Sequence, residues 1–295
     1  MPSRSDEAPV ARSTLYVVAT PIGNLADLTP RARDILGAVD LIAAEDTRHT
    51  RQLLQAFGLQ TPTFSLHEHN EAQRSEALVR ELASGKAIAL VSDAGTPLIS
   101  DPGFNVVAAA RQAGFAVVAI PGACAAIAAL SVAGLPTDRF VFEGFLPAKA
   151  AARRERLQQL AAETRTLVFY EAPHRIEAVL SDMADALGAS RAASISRELT
   201  KRFETHYSGT LADLAARART DADMQRGEIV IVVRGSEAAQ RDAGVVDAEQ
   251  LLRVLAEELS PAQAAKVTAK LTGAKRSELY ERAVQLAANR GSRKE

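Results

Sequence analysis

The sequence predicts an α/β protein in which two α/β domains with a cleft between them precede a small C-terminal helical domain. Short apolar segments alternate with helical segments from Thr14 onward, and a second series of strands follows from about Arg139 to Gly235. Such alternation is typical of a largely parallel sheet covered by helices. The last segment contains helical patterns only. We expect a flexible tail (1–13), an N-terminal α/β domain (14–121), a C-terminal α/β domain (122–235) and a basic helical domain (245–295).

Five short apolar segments are the predicted strands of the N-terminal domain. They are rich in β-branched residues and almost free of polar interruptions, which indicates strands covered on both faces. Helices fit between them, as in Glu71–Ala83, where apolar residues recur at helical spacing before Gly85. The predicted strands are Leu15–Ala19, Leu41–Ala44, Thr63–Leu66, Ala87–Val91 and Ala116–Ile120.

The C-terminal α/β domain shows strands with fewer helices between them. This spacing resembles a mixed sheet rather than a purely parallel one. The predicted strands are Phe140–Gly144, Thr166–Tyr170, Ala192–Arg197, Thr205–Ser208 and Glu228–Val233.

One uncharged stretch, Gly114–Thr137, is long enough for a bilayer, which takes about 20 apolar residues to cross. Pro121-Gly122 interrupts it, however, and much of the remainder is Ala and Gly. A strand, a turn and a buried helix over Ala123–Ala133 explain the pattern better. We therefore expect no membrane contact, and we place the boundary and the shared cleft of the two domains near this helix.

The C-terminal segment predicts three short helices. Leucines at helical spacing indicate a helix over Asp247–Leu259, and Ser260-Pro261 then begins a second helix that ends at Gly273. A third helix runs from Ser277 to Ala288. Together they resemble a helix-turn-helix bundle. Residues 261–295 carry eight bases against three acids, a balance of +5 on a chain of formal net charge −1. This charge suits a polyanion, and a structural or dimer-stabilising tail is the alternative.

Composition limits the class of protein. The chain is 47% apolar and 24% charged, as in globular proteins. Its one cysteine, Cys124, excludes an intramolecular disulfide and fits a reducing cytoplasm. The first 13 residues contain no apolar run, so they do not resemble a secretory signal. We expect a cytoplasmic protein.

Three predicted strands end in loops of small, turn-forming residues. Ligands of open α/β sheets bind beyond the carboxyl ends of the strands, and small residues let a ligand approach the backbone. Neither of the common glycine-rich phosphate-binding motifs is present. The loops therefore predict a ligand cleft, although Gly and Pro are also ordinary loop residues. They are Ala19–Asn24, Val91–Pro97 with its continuation Ser100–Gly103, and Ile120–Ala125.

These loops, together with segments 44–48, 66–71, 169–175 and 227–231, resemble the tetrapyrrole-methylase superfamily over about residues 14–235. Within it the chain is most similar to the branch that methylates small-subunit ribosomal RNA, and its basic tail resembles the C-terminal helical domain of that branch. The resemblance implies a class III methyltransferase fold that binds S-adenosylmethionine between the two α/β domains. It further implies 2′-O-methylation of a cytidine of 16S ribosomal RNA in the small ribosomal subunit, and a homodimer.

The resemblance also implies which residues contact the cofactor. Three of the superfamily's cofactor-binding segments fall on the three loops, and two further positions fall in the second domain. Cys124 stands where a hydroxyl residue is frequent, so this chain lacks a side-chain hydroxyl there. The implied cofactor residues are Ile22, Gly23, Val91, Ser92, Asp93, Thr96, Cys124, Ala125, Glu171 and Gly209.

Methyl transfer from a sulfonium is an in-line displacement, so alignment supplies much of the catalysis. A ribose hydroxyl is a poor nucleophile, and a general base or a stabiliser of the developing charge would assist it. The sequence does not identify which residue has this role. The candidates are Asp46, Arg48, His67, His69, Glu198 and Lys201. A salt bridge that orients the loop is the alternative for Asp46 and Arg48. His67 and His69 share a strand face, but no partner ligand is evident, so we assign no metal.

Basic residues in two regions are candidates for RNA binding. One group begins a predicted helix after Pro147, and a further arginine follows Pro173. The other group lies in the basic helical domain. Phosphate contacts of this kind position a nucleic acid. A solvated basic face is the alternative for the clusters, and a structural role is the alternative for Arg175. The candidates are Arg153, Arg154, Arg175, Lys266, Lys270, Lys275 and Arg276.

Two other functions compete with this interpretation. A methylase of a tetrapyrrole, such as a precorrin or uroporphyrinogen, would share the scaffold but would not need a basic third domain. A non-catalytic RNA-binding protein would use the tail but would not need a cleft built from three loops.

Overall fold

The computed structural model describes residues 10–66, 71–237 and 248–291. These residues form two compact units. The larger holds both β-sheets (residues to 161 and 165–234), and the smaller holds the C-terminal helices together with residues 162–164. Catalytic candidates His67 and His69, and residues 1–9 of the predicted tail, lie outside the described residues. Within the described ranges, no helix combines the length and the apolar character needed to cross a membrane.

Within the described residues, the first sheet is entirely parallel and has five strands. In chain order these are β1 (Thr14–Val18), β2 (Leu41–Ala44), β3 (Thr63–Ser65), β4 (Ile88–Val91) and β5 (Ala116–Ile120). Their spatial order is β3-β2-β4-β1-β5, with β1 between β4 and β5. The predicted parallel α/β architecture is confirmed, and the strand ends differ from the predicted ones by a residue or two.

Helices cover both faces of the first sheet. Tyr16 of β1 points to the side of α1 (Pro30–Ala38) and α2 (Thr47–Ala56), whereas Leu15 packs with α3 (Glu71–Ala83) and α4 (Phe104–Gln112). This alternation follows from the two-residue period of a strand. Because both faces are buried, the strands are continuously apolar, as the sequence indicates.

The second sheet is mixed, as predicted. Its strands are β6 (Phe140–Phe145), β7 (Thr166–Glu171), β8 (Ala192–Arg197), β9 (Thr205–Thr210) and β10 (Ile229–Val233). The spatial order is β6-β7-β10-β8-β9; β6 and β7 are parallel, and the remaining neighbours are antiparallel.

Helix α5 (Ala125–Val132) covers one face of the second sheet and begins at the third loop. Its buried residues, such as Ala129, pack against Val168 and Val230. The other face is covered by α6 (Ala150–Gln159), α7 (Ile176–Leu187) and α8 (Leu211–Thr220), which enclose the largest core of the protein. Alanines on α5 let the helix approach the sheet closely, which places its N-terminus beside the first sheet's loops.

The described part of the smaller unit contains three helices: α9 (Ala248–Glu258), α10 (Pro261–Thr272) and α11 (Arg276–Gly291). Ser260 and Gln263 form a reciprocal capping box at the start of α10, and Gly273 ends it in the left-handed conformation with a φ of 73°. Leu252 and Leu279 are buried in the core of this unit. The predicted three-helix domain is confirmed.

Candidate functional site

The three loops at the carboxyl ends of β1, β4 and β5 are bonded to one another. The backbone N–H of Thr20 donates to the carbonyl of Gly95 (2.8 Å), and the N–H of Gly95 donates back to Thr20 (3.1 Å). The hydroxyl of Thr96 donates to the carbonyl of Ala123 (3.0 Å). A Cβ on Gly122 would lie 2.9 Å from the Cβ of Ala19, so only glycine permits this approach. The loops therefore form one rigid edge.

A cavity of about 390 Å³ lies between this edge and the second sheet. Its volume is in the range of small-molecule sites, about 300–1,000 Å³. The loops contribute Ile22, Thr96, Ser100, Asp101, Cys124 and Ala125 to its wall. The second sheet contributes Phe145, Tyr170, Glu171, Leu199, Ile229 and Val230.

Five of the ten predicted cofactor residues lie on the cavity wall. The other five predicted residues do not line the cavity. Among them, Val91 and Ser92 are buried, and Asp93 faces α2. Gly209 lies at the wrong end of the second sheet. Gly209 pairs with Ala193, which in turn pairs with Val233, the last residue of β10. The cavity lies at the opposite end of β10, beside its first residue, Ile229. Gly209 therefore lies away from this cavity, which does not support its predicted contact with the cofactor. The predicted residues on the wall are Ile22, Thr96, Cys124, Ala125 and Glu171.

Gly23 lies beneath Lys201. A Cβ on Gly23 would overlap the Cγ of Lys201, and the φ of Gly23 is 154°, which side-chain-bearing residues rarely adopt. The ammonium of Lys201 pairs with Glu198 (3.0 Å) and Glu228 (3.2 Å). Candidates Glu198 and Lys201 therefore belong to a bridge from the second sheet to the first loop, and neither lines the cavity.

Candidates Asp46 and Arg48 form the salt bridge that was the alternative interpretation. The guanidinium of Arg48 lies 2.6 Å from the carboxylate of Asp46, which also accepts from the N–H of Arg48 at the start of α2. These hydrogen bonds hold the pKa of Asp46 well below its usual range. Asp93 accepts from the N–H of Asp46 (2.9 Å) and contacts His49 (3.2 Å). This network orients α2 outside the cavity wall.

Glu171 is the polar residue of the wall best placed to hold a ligand. It is 3% exposed; its Oε1 accepts from the N–H of Ala172 (2.7 Å) and lies 3.2 Å from Nε of Arg175. Its Oε2 is buried and has no hydrogen-bond partner. Burial raises the pKa of Glu171 above the ordinary value. A buried acceptor without a partner is costly unless a ligand donates to it.

Apart from Glu171, sequence reasoning missed the residues of the second sheet on the wall, and it missed one carboxylate of the second loop. Asp101 lines the cavity, and burial raises its pKa. Tyr170 accepts from the N–H of Ala126 (3.2 Å), and burial raises its pKa too. The signal for Asp101 was present, because it stands in the Ser100–Gly103 continuation of the second loop.

Two of the arginines predicted to bind RNA have structural partners instead. Arg153 is buried, and its guanidinium lies 2.6 Å from the equally buried carboxylate of Asp182. Arg175 donates to the carbonyls of Leu146 (2.8 Å) and Pro147 (3.1 Å). Burial of Arg153 leaves it unavailable to a phosphate, contrary to the prediction, and the partners of Arg175 favour a structural role for that residue. Arg154 also contacts Asp182, but 64% of its side chain is exposed.

The four basic candidates of the helical unit are exposed. They lie on or just after α10 and at the start of α11: Lys266, Lys270, Lys275 and Arg276. In the described part of the chain, no group of three or more His, Cys, Asp or Glu residues could hold a metal ion. The absence of a metal stays a prediction, since His67 and His69 lie outside that part.

Comparison with known proteins identifies two families along the chain. Residues 14–215 match the family described as Tetrapyrrole (Corrin/Porphyrin) Methylases, and residues 242–287 match the RsmI C-terminal HTH domain. A ribosomal RNA small subunit methyltransferase I of Xylella fastidiosa is 56% identical over 268 residues, which cover 90% of this chain and 97% of the relative. The Pseudomonas aeruginosa protein of the same name is 51% identical, with 94% of this chain and 98% of the relative covered.

Solved structures share the fold at lower identity. A cobalt precorrin-4 methyltransferase aligns with a TM-score of 0.56 and 14% identity, covering 75% of this chain and 94% of that one. Uroporphyrin-III C-methyltransferase of Thermus thermophilus, complexed with S-adenosyl homocysteine, aligns with a TM-score of 0.51 and 17% identity, covering 78% and 99%. At these identities the comparison shows the fold alone.

Proposed function

The chain belongs to the tetrapyrrole (corrin/porphyrin) methylase family, and from that premise we propose that it methylates the 16S ribosomal RNA of the small subunit. S-adenosylmethionine is the methyl donor, and the acceptor is the 2′-hydroxyl of a cytidine. The observation that carries the proposal is identity above 50% to ribosomal RNA small subunit methyltransferases over nearly the whole of both chains. The cavity at the joined loops is the site where the reaction takes place.

The cavity suits the proposed cofactor. Ile22, Leu199 and Ile229 offer apolar walls to a flat heterocycle, and the free Oε2 of Glu171 can accept from a hydroxyl or an amino group. Cys124 and Ala125 bring the start of α5 to the same wall. When bound, the cofactor supplies an electrophilic methyl group. The chain's own residues orient it and exclude water, which is the main requirement of an in-line displacement.

The exposed bases of the helical unit support RNA as the partner. Lys266, Lys270, Lys275 and Arg276 are exposed on its described surface, and residues 261–295 have a balance of +5. Such a patch neutralises phosphates and steers a polyanion to the protein. A methylase that acts on a free tetrapyrrole would not need this basic patch. We therefore favour the RNA substrate over the tetrapyrrole that the names of the structural neighbours indicate.

We also propose a cytoplasmic homodimer. Three apolar side chains on α5 and at the start of β6 are exposed: Ile127 (53%), Val132 (48%) and Phe140 (40%). A contiguous apolar patch is typical of protein–protein contacts, and we propose that these side chains belong to one. Sedimentation velocity of the purified protein tests the proposal, and a monomer over the whole concentration series would contradict it.

The function is tested by cofactor binding and by product analysis. Cys124→Trp fills the cavity and should abolish calorimetric binding of S-adenosylmethionine, whereas Cys124→Ser, which keeps the volume, should bind it. The wild-type protein should methylate small subunits that lack the modification, and nucleoside mass spectrometry should show 2′-O-methylcytidine. Binding without methylation of the subunit, together with methylation of uroporphyrinogen, would contradict the RNA substrate and favour the tetrapyrrole methylase.

A further inference from the structure

We propose that Asp101 is the general base that accepts the proton of the attacking ribose hydroxyl. This inference rests on the proposed function and assigns a role that the described catalytic candidates do not fill. Asp46 and Arg48 are paired with each other, and Glu198 is paired with Lys201. None of these four residues lines the cavity.

The backbone holds Asp101 in a defined position on the cavity wall. Two residues just before it have positive φ angles without being glycine: Leu98 (72°) and Ser100 (68°). Conformations of this kind persist only where the surroundings impose them, and they cluster at functional sites. Gly103 packs against Leu98, and the hydroxyl of Ser100 lies 3.1 Å from where a Cβ of Gly144 would be. The segment around Asp101 is therefore fixed against the second sheet.

Asp101 is the carboxylate of the wall without a cationic partner. Three carboxylates line the cavity: Asp101, Glu171 and Glu228. Glu171 faces Arg175, and Glu228 is paired with Lys201 and has a 75% exposed side chain. Among the described residues, no basic side chain forms an ion pair with Asp101. The hydroxyl of Ser92 is a neutral hydrogen-bond partner, and with no cation beside it the carboxylate can still accept a substrate proton.

The groups that face Asp101 increase its affinity for a proton. Burial raises its pKa, and the negative charge of Asp93 after β4 adds to this effect; the hydroxyl of Ser92 opposes it. Glu45 after β2 and Tyr170 of β7 also face it. A base is most effective when its pKa lies near the working pH, because it is then ionised and still accepts a proton readily. Tyr170 cannot compete, because burial raises the pKa of its phenol and keeps it protonated.

The proposed step balances as follows in atoms and charge. The ribose oxygen forms a bond to the methyl carbon, and the carbon–sulfur bond breaks with its electron pair passing to sulfur. The positive sulfonium thereby becomes a neutral thioether. The hydroxyl proton passes to the carboxylate of Asp101, which becomes a neutral acid and later releases the proton to water.

The experiment compares Asp101→Asn and Asp101→Glu with Asp185→Asn, a matched change on the exposed part of α7. At saturating S-adenosylmethionine, whose binding to the variant is checked by calorimetry, Asp101→Asn should methylate small subunits about 10²–10⁴-fold more slowly in single turnover. The wild-type rate should fall as pH is lowered through the raised pKa of Asp101, and Asp101→Asn should lose this limb. Asp101→Glu should regain part of the rate, and Asp185→Asn should behave as the wild type.

A second measurement does not depend on activity. Carbon NMR of the protein labelled at aspartate carboxyls should show a group that titrates above the ordinary range, and this group should be missing in Asp101→Asn. Unchanged turnover with an unchanged pH limb in Asp101→Asn would overturn the inference while the wild-type product upholds the proposed function. If the wild type itself forms no 2′-O-methylcytidine, the proposed function fails, and the inference fails with it.

Discussion

The side chain of Lys201 packs over Gly23 and leaves no room there for a residue with a Cβ. Replacement by alanine puts a Cβ against the stem of Lys201 at a φ that favours glycine. We expect Gly23→Ala to destabilise the fold by about 2–4 kcal/mol, combining backbone strain and overpacking. Lys201→Ala in the same chain should recover the overpacking part. Urea denaturation measures both effects.

The matched control for Gly23 is Gly58→Ala. Gly58 also has a positive φ, of 67°, but nothing lies within 4 Å of where its Cβ would be. Its replacement should cost only the backbone term, about 1–2 kcal/mol. An equal cost at the two positions would mean that Lys201 does not rest on the first loop.

Arg153 stabilises the fold rather than binding RNA. Its guanidinium and the carboxylate of Asp182 are 7% and 5% exposed, so removal of one partner leaves a buried charge. We expect Arg153→Met to lower the free energy of unfolding by about 3–5 kcal/mol. Arg33→Met, on the exposed side of α1, is the control and should change little. A fully stable Arg153→Met variant with weakened RNA affinity would restore the original prediction.

At the scale of elements, sequence patterns predicted what depends on local periodicity. Both sheets follow from apolar runs, and the second helix of the smaller unit follows from its caps at Ser260 and Gly273. What depends on pairing across the fold could not be predicted. The antiparallel register of β9 carries Gly209 away from the cavity, and the partner of Arg153 lies 29 residues away in the chain. Asp101 belongs to a loop segment that is recognisable in the sequence. Only the structure shows that Asp101 lines the cavity and that Asp93 does not.

The basic surface of α10 and the start of α11 is an element whose role can be tested by charge alone. Replacing its four bases with Gln keeps helix propensity and removes four charges. We expect weaker binding to the small subunit and a log–log salt dependence that is less steep by about 0.7–0.9 for each phosphate that the variant no longer binds. S-adenosylmethionine affinity should not change. The residues are Lys266, Lys270, Lys275 and Arg276.

The control for the α10 variant removes the same charge from the larger unit. Arg31, Arg33, Arg111 and Arg139 are exposed there, and their joint replacement by Gln gives a protein of equal net charge. If both variants lose the same affinity and the same salt dependence, the effect is one of net charge and not of the helical unit.

At the scale of the whole molecule, the two compact units predict separable functions. Every residue that lines the cavity belongs to the larger unit. A chain ending at residue 247 should therefore keep its affinity for S-adenosylmethionine, and its circular-dichroism spectrum should still show a folded α/β protein. It should bind and methylate the small subunit poorly. Calorimetry and a filter-binding series in increasing salt measure the two properties. Full methylation by the shortened chain would make the helical unit purely structural.

The position of Cys124 allows a probe to be attached to the protein at a single site. The chain contains one cysteine, and its partly exposed thiol lies on the cavity wall at the start of α5. A thiol-reactive fluorophore should therefore attach at one position per chain, without engineering. Bound cofactor should shield that position, so the rate of labelling would report occupancy directly. The same arrangement would make a small electrophile shaped for this cavity an irreversible inhibitor.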